Sequence, residues 1–406
     1  MSWHTAKQMN RVLRSLWRLI GVTLGLVVVL GLSAAPSRAG LHHADVRNHE
    51  TVARFSITDL NSAGDGMWPT AINDRGQVVG NLTRTDHAFL YFGRVVTDIG
   101  VPVGYERSAA LGVSDNERIL VHAYRTNRYR GAYFVVSMQA RAAHWALLRT
   151  GIRGYGVASA SEVDARGDVI GSIHHGSIHG SPSGDDAALW LGIRGGYGRA
   201  EVLPLPGNAI GASAHAIWAG GGFVIVAGCT YGERGSSQRP CTTLWAKVPG
   251  HPFQISSANV TGSLDTFGGI GGHAFASGSD GDGYDQAWGW TAPVEFSRQG
   301  AAQVSEPVSV SPPPNGHSTV WSVTGVTADR LGRMVAVGDN GARGDSASIW
   351  LPGERSELLQ SLIGAGSGWS IGRPAAISIR GQIVGIGTFD GRGHAYLLTP
   401  IAGRLP

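Results

Sequence analysis

Apolar residues along this chain fall into short runs bounded by Gly, Asn, Asp or Ser, as in Gln77-Val-Val-Gly80 and Ala88-Phe-Leu-Tyr91. Runs of that length between turn-forming residues predict β-strands, and no segment after the N-terminal apolar stretch holds a helical period. The runs also recur in order. Ala71-Ile-Asn-Asp-Arg-Gly-Gln-Val-Val-Gly80, followed by His87-Ala-Phe-Leu-Tyr91, returns near the C-terminus as Ala376-Ile-Ser-Ile-Arg-Gly-Gln-Ile-Val-Gly385 and His394-Ala-Tyr-Leu-Leu398. Weaker copies of the Val-Val-Gly run lie at 119–123, 168–171, 223–228, 273–278 and 333–338, giving seven units spaced close to fifty residues apart.

Each unit reads as four strands, and the turn between the first two is Asn73-Asp-Arg-Gly76, echoed by Asp164-Ala-Arg-Gly167 and Asp329-Arg-Leu-Gly332. Asp or Asn opening a turn and Gly closing it is tight-turn chemistry. Four strands per unit predict an all-β, seven-bladed β-propeller over residues 54–400, with 401–406 as a tail. The two ends support closure of the ring. The last unit stops at Thr399-Pro400 after three strands, while Arg54-Phe-Ser-Ile-Thr-Asp-Leu60 is a spare strand patterned like Val95–Ile99. Pairing the spare strand with the last unit hides both edges. A parallel β-helix or open array is the alternative architecture, and it leaves the spare strand without a role.

Composition changes the picture mainly at the N-terminus. Residues 1–39 carry five of the 33 Lys and Arg and none of the 29 Asp and Glu, with an apolar run from Leu19 to Ala35 and Ser37-Arg-Ala39 behind it. That arrangement predicts a cleaved secretory signal peptide, followed by a flexible segment over 40–53. An uncleaved signal anchor, tethering the protein to a membrane, is the alternative, because the run approaches bilayer length. The mature chain would keep 28 basic against 29 acidic residues, a net charge of −1 (28 − 29). A near-neutral body without a basic run argues against nucleic acid as partner. No second membrane segment follows the leader, so no insertion is expected after cleavage. Cys229 and Cys241 predict one local disulfide in an exported protein, and two free thiols if the leader stays on the reducing side.

The Ile-Asn-x-x-Gly-x-Val-Val-Gly phrase with His-Ala-Phe a few residues later resembles the bacterial extracellular HAF-repeat proteins. Units one and seven carry the motif best; third strands elsewhere read Gly131-Ala-Tyr-Phe, Ala187-Ala-Leu-Trp, Thr242-Thr-Leu-Trp, Gln286-Ala-Trp and Ala347-Ser-Ile-Trp. His273-Ala-Phe275 falls where a second strand is expected, so its match is accidental. The resemblance implies export and a propeller-like repeat fold, and it assigns no catalytic residues.

In a propeller the tight first turns share one face with the links between third and fourth strands. The opposite face carries the links between second and third strands and the connections between blades. On that face units three and four raise long loops, at 172–187 and 229–242. Function concentrates on such loops. Aromatics also precede several first strands there: Trp68, Tyr105, Tyr155, Phe267, Trp321 and Trp369. Plugging the gap between blades is the commoner role for such residues, and stacking on a flat ligand such as a sugar is the alternative.

His174, His175, His179, Asp185 and Asp186 cluster in one loop but lack the fixed spacing of a metal site. Asp280-Gly-Asp282-Gly-Tyr-Asp285 alternates oxygens as calcium loops do, without a closing glutamate. His87 and His394 each open a third strand, where a hydrogen bond to the neighbouring strand is a sufficient role. No Gly-x-Ser-x-Gly elbow supports triad catalysis. The expectation is therefore a secreted binding protein without metal or cofactor, taking a glycan, an envelope component or a protein through the face of the two loops. A polysaccharide hydrolase or lyase with its site at the channel mouth, and an envelope scaffold without small ligand, are the alternatives.

Overall fold

The protein was described from a computed structural model. It describes residues 54–63, 66–125, 128–139, 142–175, 185–193, 196–207, 209–232, 242–248, 250–257, 263–270, 273–280, 288–296, 302–304, 308–309, 322–328, 334–339, 347–351 and 356–401. The leader over 1–39, the segment 40–53, Trp321, Cys241, His179, Asp282–Asp285 and the centres of both long loops lie outside the described residues.

Seven antiparallel sheets follow one another along the chain as blades. Blade 1 is built in order from Met67–Ile72, Val78–Leu82, His87–Phe92 and Val95–Gly100, and blade 2 from Arg107–Val113, Arg118–Arg125, Arg128–Gln139 and Ala142–Leu147. Blades 3 to 6 repeat that meander, with first strands Tyr155–Val163, Gly211–Gly220, Ser263–Ile270 and Ser322–Ala328. Blade 7 joins the two ends of the chain. Its first strand is split into Trp369–Ser370 and Pro374–Ile377, its second is Ile383–Phe389, its third Arg392–Pro400, and Phe55–Asp59 supplies the fourth. The register runs from Phe55 opposite Pro400 to Asp59 opposite Tyr396, so the spare strand closes the ring as its pattern predicts. His273 begins the second strand of blade 5, as expected from its place in the repeat.

Apolar burial explains why the strands read as continuous apolar runs. Among the described residues the buried apolar side chains form seven clusters, and each spans two adjacent blades, including blades 7 and 1. Successive residues of one strand face opposite neighbours. Val78 packs toward blade 7 and Val79 toward blade 2; Val224 and Val226 pack toward blade 3, Ile225 and Ala227 toward blade 5. A strand buried on both faces needs apolar residues at both parities.

All seven first strands carry a β-bulge against the second strand. The extra residue reaches the next blade. Thr70 Oγ1 donates to Ala110 O at 2.9 Å, Ser161 Oγ to Ala214 O at 2.9 Å, and His215 Nε2 to Leu264 O at 2.6 Å. Each accepting carbonyl sits at the bulge of its own blade, where the ladder has lost a partner. The bulge also dictates the glycine of the repeat. A Cβ on Gly80 would lie 2.1 Å from Trp68 O, and one on Gly228 would lie 2.0 Å from Ser213 O and 2.9 Å from the Trp245 ring.

The first turns add a second tie. Asn73 Oδ1 accepts from the backbone N–H of Arg75 and Gln77, while its Nδ2 donates to Gln77 Oε1 and to Ser114 O of blade 2 at 2.9 Å. The residue closing the turn takes a left-handed backbone, with φ 78° at Gly76 and 66° at Glu117.

Replacing Gly228 by Ala should destabilise the fold by about 2 kcal/mol or more, because backbone rather than a flexible side chain must move. A urea midpoint unchanged from wild type would show that the bulge is not held as described.

Candidate functional site

The strand order puts the ends of the second strands, the starts of the third strands and the blade-to-blade connections on one face. On it, at the closure seam, a cleft of about 490 Å³ lies between blades 7 and 1, lined by Asn61, Trp68, Arg373 and His394 among others. A second hollow of about 410 Å³ shares Trp68 and Arg373 and reaches Val323 and Thr324 of blade 6. The two form one concavity running from the seam to the channel mouth.

Local structure fixes each polar group. His394 opens the third strand of blade 7, and its Nδ1 lies 3.0 Å from both carboxylate oxygens of Asp59 on the closing strand. His87 and Asp98 repeat that pair in blade 1 at 3.1 and 3.0 Å. A carboxylate only accepts, so Nδ1 carries a proton and donates to it, and Nε2 is the ring's remaining polar atom. Asn61 follows the closing strand; its Oδ1 accepts from Ala395 N at 3.0 Å, which leaves its amide NH₂ for other use. The Arg373 backbone is anchored by Ile386 N donating to Arg373 O at 2.9 Å. Its side chain is 60% exposed, with Nε 3.7 Å from Asp339 Oδ2. Trp68 is 52% exposed. Aromatic surface, a guanidinium, an amide donor and an imidazole thus line one concave wall.

The other aromatics of the sequence pattern are placed differently. Trp369 is 8% exposed and packs in the core between blades 6 and 7, edge-on to His394 at 6.1 Å and to Tyr396 at 6.2 Å. Phe267, 7% exposed, belongs to the core between blades 4 and 5. Tyr105 meets Phe134 edge-on at 5.4 Å and lies beneath Arg125. Tyr155 packs against the core between blades 2 and 3 while lining a separate hollow of about 610 Å³ with Arg149 and Arg153. They do not gather into one ring. His174 and Asp185 are register partners across blade 3, and no group able to hold a metal occurs among the described residues.

Sequence reasoning missed the carboxylates of the central channel. At its turn end a cavity of about 280 Å³ is lined by all seven blades and contains Asp74, Asp115, Glu162 and Asp164. The signal was present, since acids occupy turns that must converge on the axis. Three of the four hold a neighbouring blade's backbone: Asp74 Oδ1 accepts from Ile379 N of blade 7 at 3.0 Å, Asp115 Oδ1 from Asp74 N of blade 1 at 2.9 Å, and Glu162 Oε2 from Ile217 N of blade 4 at 2.9 Å. Burial, reinforced by the charge of Asp115, pushes the Asp74 carboxyl up. Burial also raises Glu162 to about 8, against the opposing pull of the Ile217 N–H.

Asp164 stands where blade 1 has Asn73. Its Oδ1 takes the turn N–H groups of Arg166 and Asp168 at 2.9 and 2.8 Å, but Oδ2 is buried without a hydrogen bond and sees only Arg166 Nε at 3.6 Å. Burial and then the Asp168 charge push its carboxyl up from 3.8 to about 6.

No family model matches the sequence, and no curated protein matches it. Solved structures resemble it in fold. An oligogalacturonate lyase in complex with manganese is 10% identical over 87% of this chain and 96% of its own, with a TM-score of 0.50. The oligogalacturonate lyase of Vibrio parahaemolyticus is 10% identical over 86% and 94%, at a TM-score of 0.47. An inactive variant of Staphylococcus aureus virginiamycin B lyase is 11% identical over 86% and 100%, at 0.44. The protein is a β-propeller, and likenesses at these identities extend no further than the fold.

Asp164→Asn supplies a donor where Oδ2 has none. In wild type the folded state binds the Asp164 proton more tightly than the unfolded state, so stability falls as pH rises from about 4 to about 6 and stays lowered above that. The variant should therefore gain about 1–3 kcal/mol at pH 7.5 and close to nothing at pH 4, read from urea unfolding at both pH values. An equal gain at both would refute the titration.

Proposed function

We propose that this protein is a secreted or periplasmic β-propeller that binds glycan through the face carrying the 172–187 and 229–242 loops, with the seam cleft of Trp68 as its binding site. The observation that carries the reading is the exposed Trp68 ring in a cleft that also offers the Asn61 amide and the His394 imidazole. A sugar ring presents an apolar C–H face and a rim of hydroxyls that both donate and accept, so it needs this mixture. Export rests on the N-terminal leader, with an uncleaved anchor as the alternative. Membership of the HAF-repeat group and the Cys229–Cys241 disulfide belong to the same proposal.

Trp68→Ala should weaken binding of the best ligand from a glycan array by about tenfold or more, measured by calorimetry on the mature protein. Affinity unchanged by the substitution would remove the cleft from the proposal.

A hydrolase or lyase is the second reading, favoured by Glu162, a carboxyl in the channel that keeps its proton near neutral pH. The mature protein would then cleave a polysaccharide, and Glu162→Gln would abolish product release while leaving binding intact. No turnover by wild type across an array-guided panel would sink this reading.

A further inference from the structure

We infer that the glycan bound at the seam is acidic, its carboxylate read by Arg373 while its ring lies against Trp68. This rests on the glycan reading above and deepens it.

Arg373 is only partly engaged within the fold. Its Nε side faces Asp339 Oδ2 at 3.7 Å, and no partner is found for its terminal amino groups among the described residues. A guanidinium has more than one donor edge. Asp339, with a side chain only 5% exposed, steadies one edge and leaves the paired terminal N–H groups in the cleft. That pair matches the two oxygens of a carboxylate.

Trp68 and Arg373 line both halves of the concavity, so a ligand against the ring is within the volume the guanidinium serves. A neutral sugar would leave the terminal N–H pair without an anion, since Asp339 meets only the Nε side. A free anion would leave the exposed aromatic surface without a role. A uronic-acid residue uses both. The channel carboxylates Asp74, Asp115, Glu162 and Asp164 lie at the turn end, and the two carboxylates beside the cleft, Asp59 and Asp339, already face His394 and Arg373. The pairing also recurs between blades 2 and 3, where Tyr155 shares a hollow with the exposed Arg149 and Arg153.

The test is calorimetric titration of the mature protein with a uronic-acid tetrasaccharide and with its carboxyl-reduced neutral counterpart. The acidic sugar should bind at least about tenfold more tightly. Arg373→Met should erase that preference by weakening the acidic sugar about tenfold more than the neutral one, Arg373→Lys should restore part of the preference, and both variants should remain folded by circular dichroism. Equal affinity for the two sugars, both lost in Trp68→Ala, would overturn the acidic ligand and keep the glycan reading. Binding of neither sugar at millimolar concentration would overturn both. Retention of the preference in Arg373→Met would remove Arg373 as its reader.

Discussion

The ring depends on a bulge. In all seven first strands the ladder to the second strand slips by one residue, and in blades 2, 4 and 5 the carbonyl this turns out of the ladder is held by the preceding blade. Thr70, Ser161 and His215 sit in their own bulges and bond to the bulge carbonyl of the following blade. A hydrogen bond of this kind contributes roughly 1 kcal/mol, less than the apolar burial between blades, but it has direction where burial has none. It therefore sets how far one blade can slide on the next. The glycine of the Val-Val-Gly run follows, because the bulged backbone of strand one passes too close for a Cβ at Gly80 or Gly228.

The closing strand extends the same logic to the ends of the chain. Asp98 belongs to the fourth strand of blade 1 and holds His87; Asp59 belongs to the N-terminal strand and holds His394. Blade 7 thus copies blade 1 with one of its four strands taken from the far end of the sequence. The seam cleft is a product of that closure. Asn61 and Trp68 come from the first residues of the ring, and Arg373 and His394 from the last. An open chain would have the residues and no site, so ligand binding at the seam must report on ring closure.

Architecture was legible in the sequence because the forces that make it are repeated. Turn residues, bulge glycines and two-sided apolar strands recur in most units, so their period betrays them. The site is not repeated, and a period cannot reveal it. Trp68 and Trp369 occupy similar positions ahead of their units, yet one is exposed and the other buried. Trp68 lies within an unbroken strand, next to the inward Met67, whereas Trp369 precedes a break in the first strand of blade 7. One residue of slip reverses which face a side chain takes. Arg373 lies at the end of that break, outside any repeated phrase, so only the fold brings it to Trp68. The channel acids were hidden for the opposite reason: they sit inside the repeated turn, where Asp74 reads as turn chemistry.

The two ends of the channel consequently differ in what they can do. At the turn end Asp74, Asp115 and Glu162 spend an oxygen on a neighbouring blade, and moving any of them for chemistry would loosen a tie between blades. At the loop end Arg373, the Asn61 amide and His394 Nε2 are each steadied through another atom of the same side chain, by Asp339, by Ala395 N and by Asp59. Groups held at one end and open at the other lose little freedom when a ligand arrives, which is the economy of a preformed site. Blade ties occupy the turn end and leave the loop end open, which is the physical ground for the proposed recognition at the loop face.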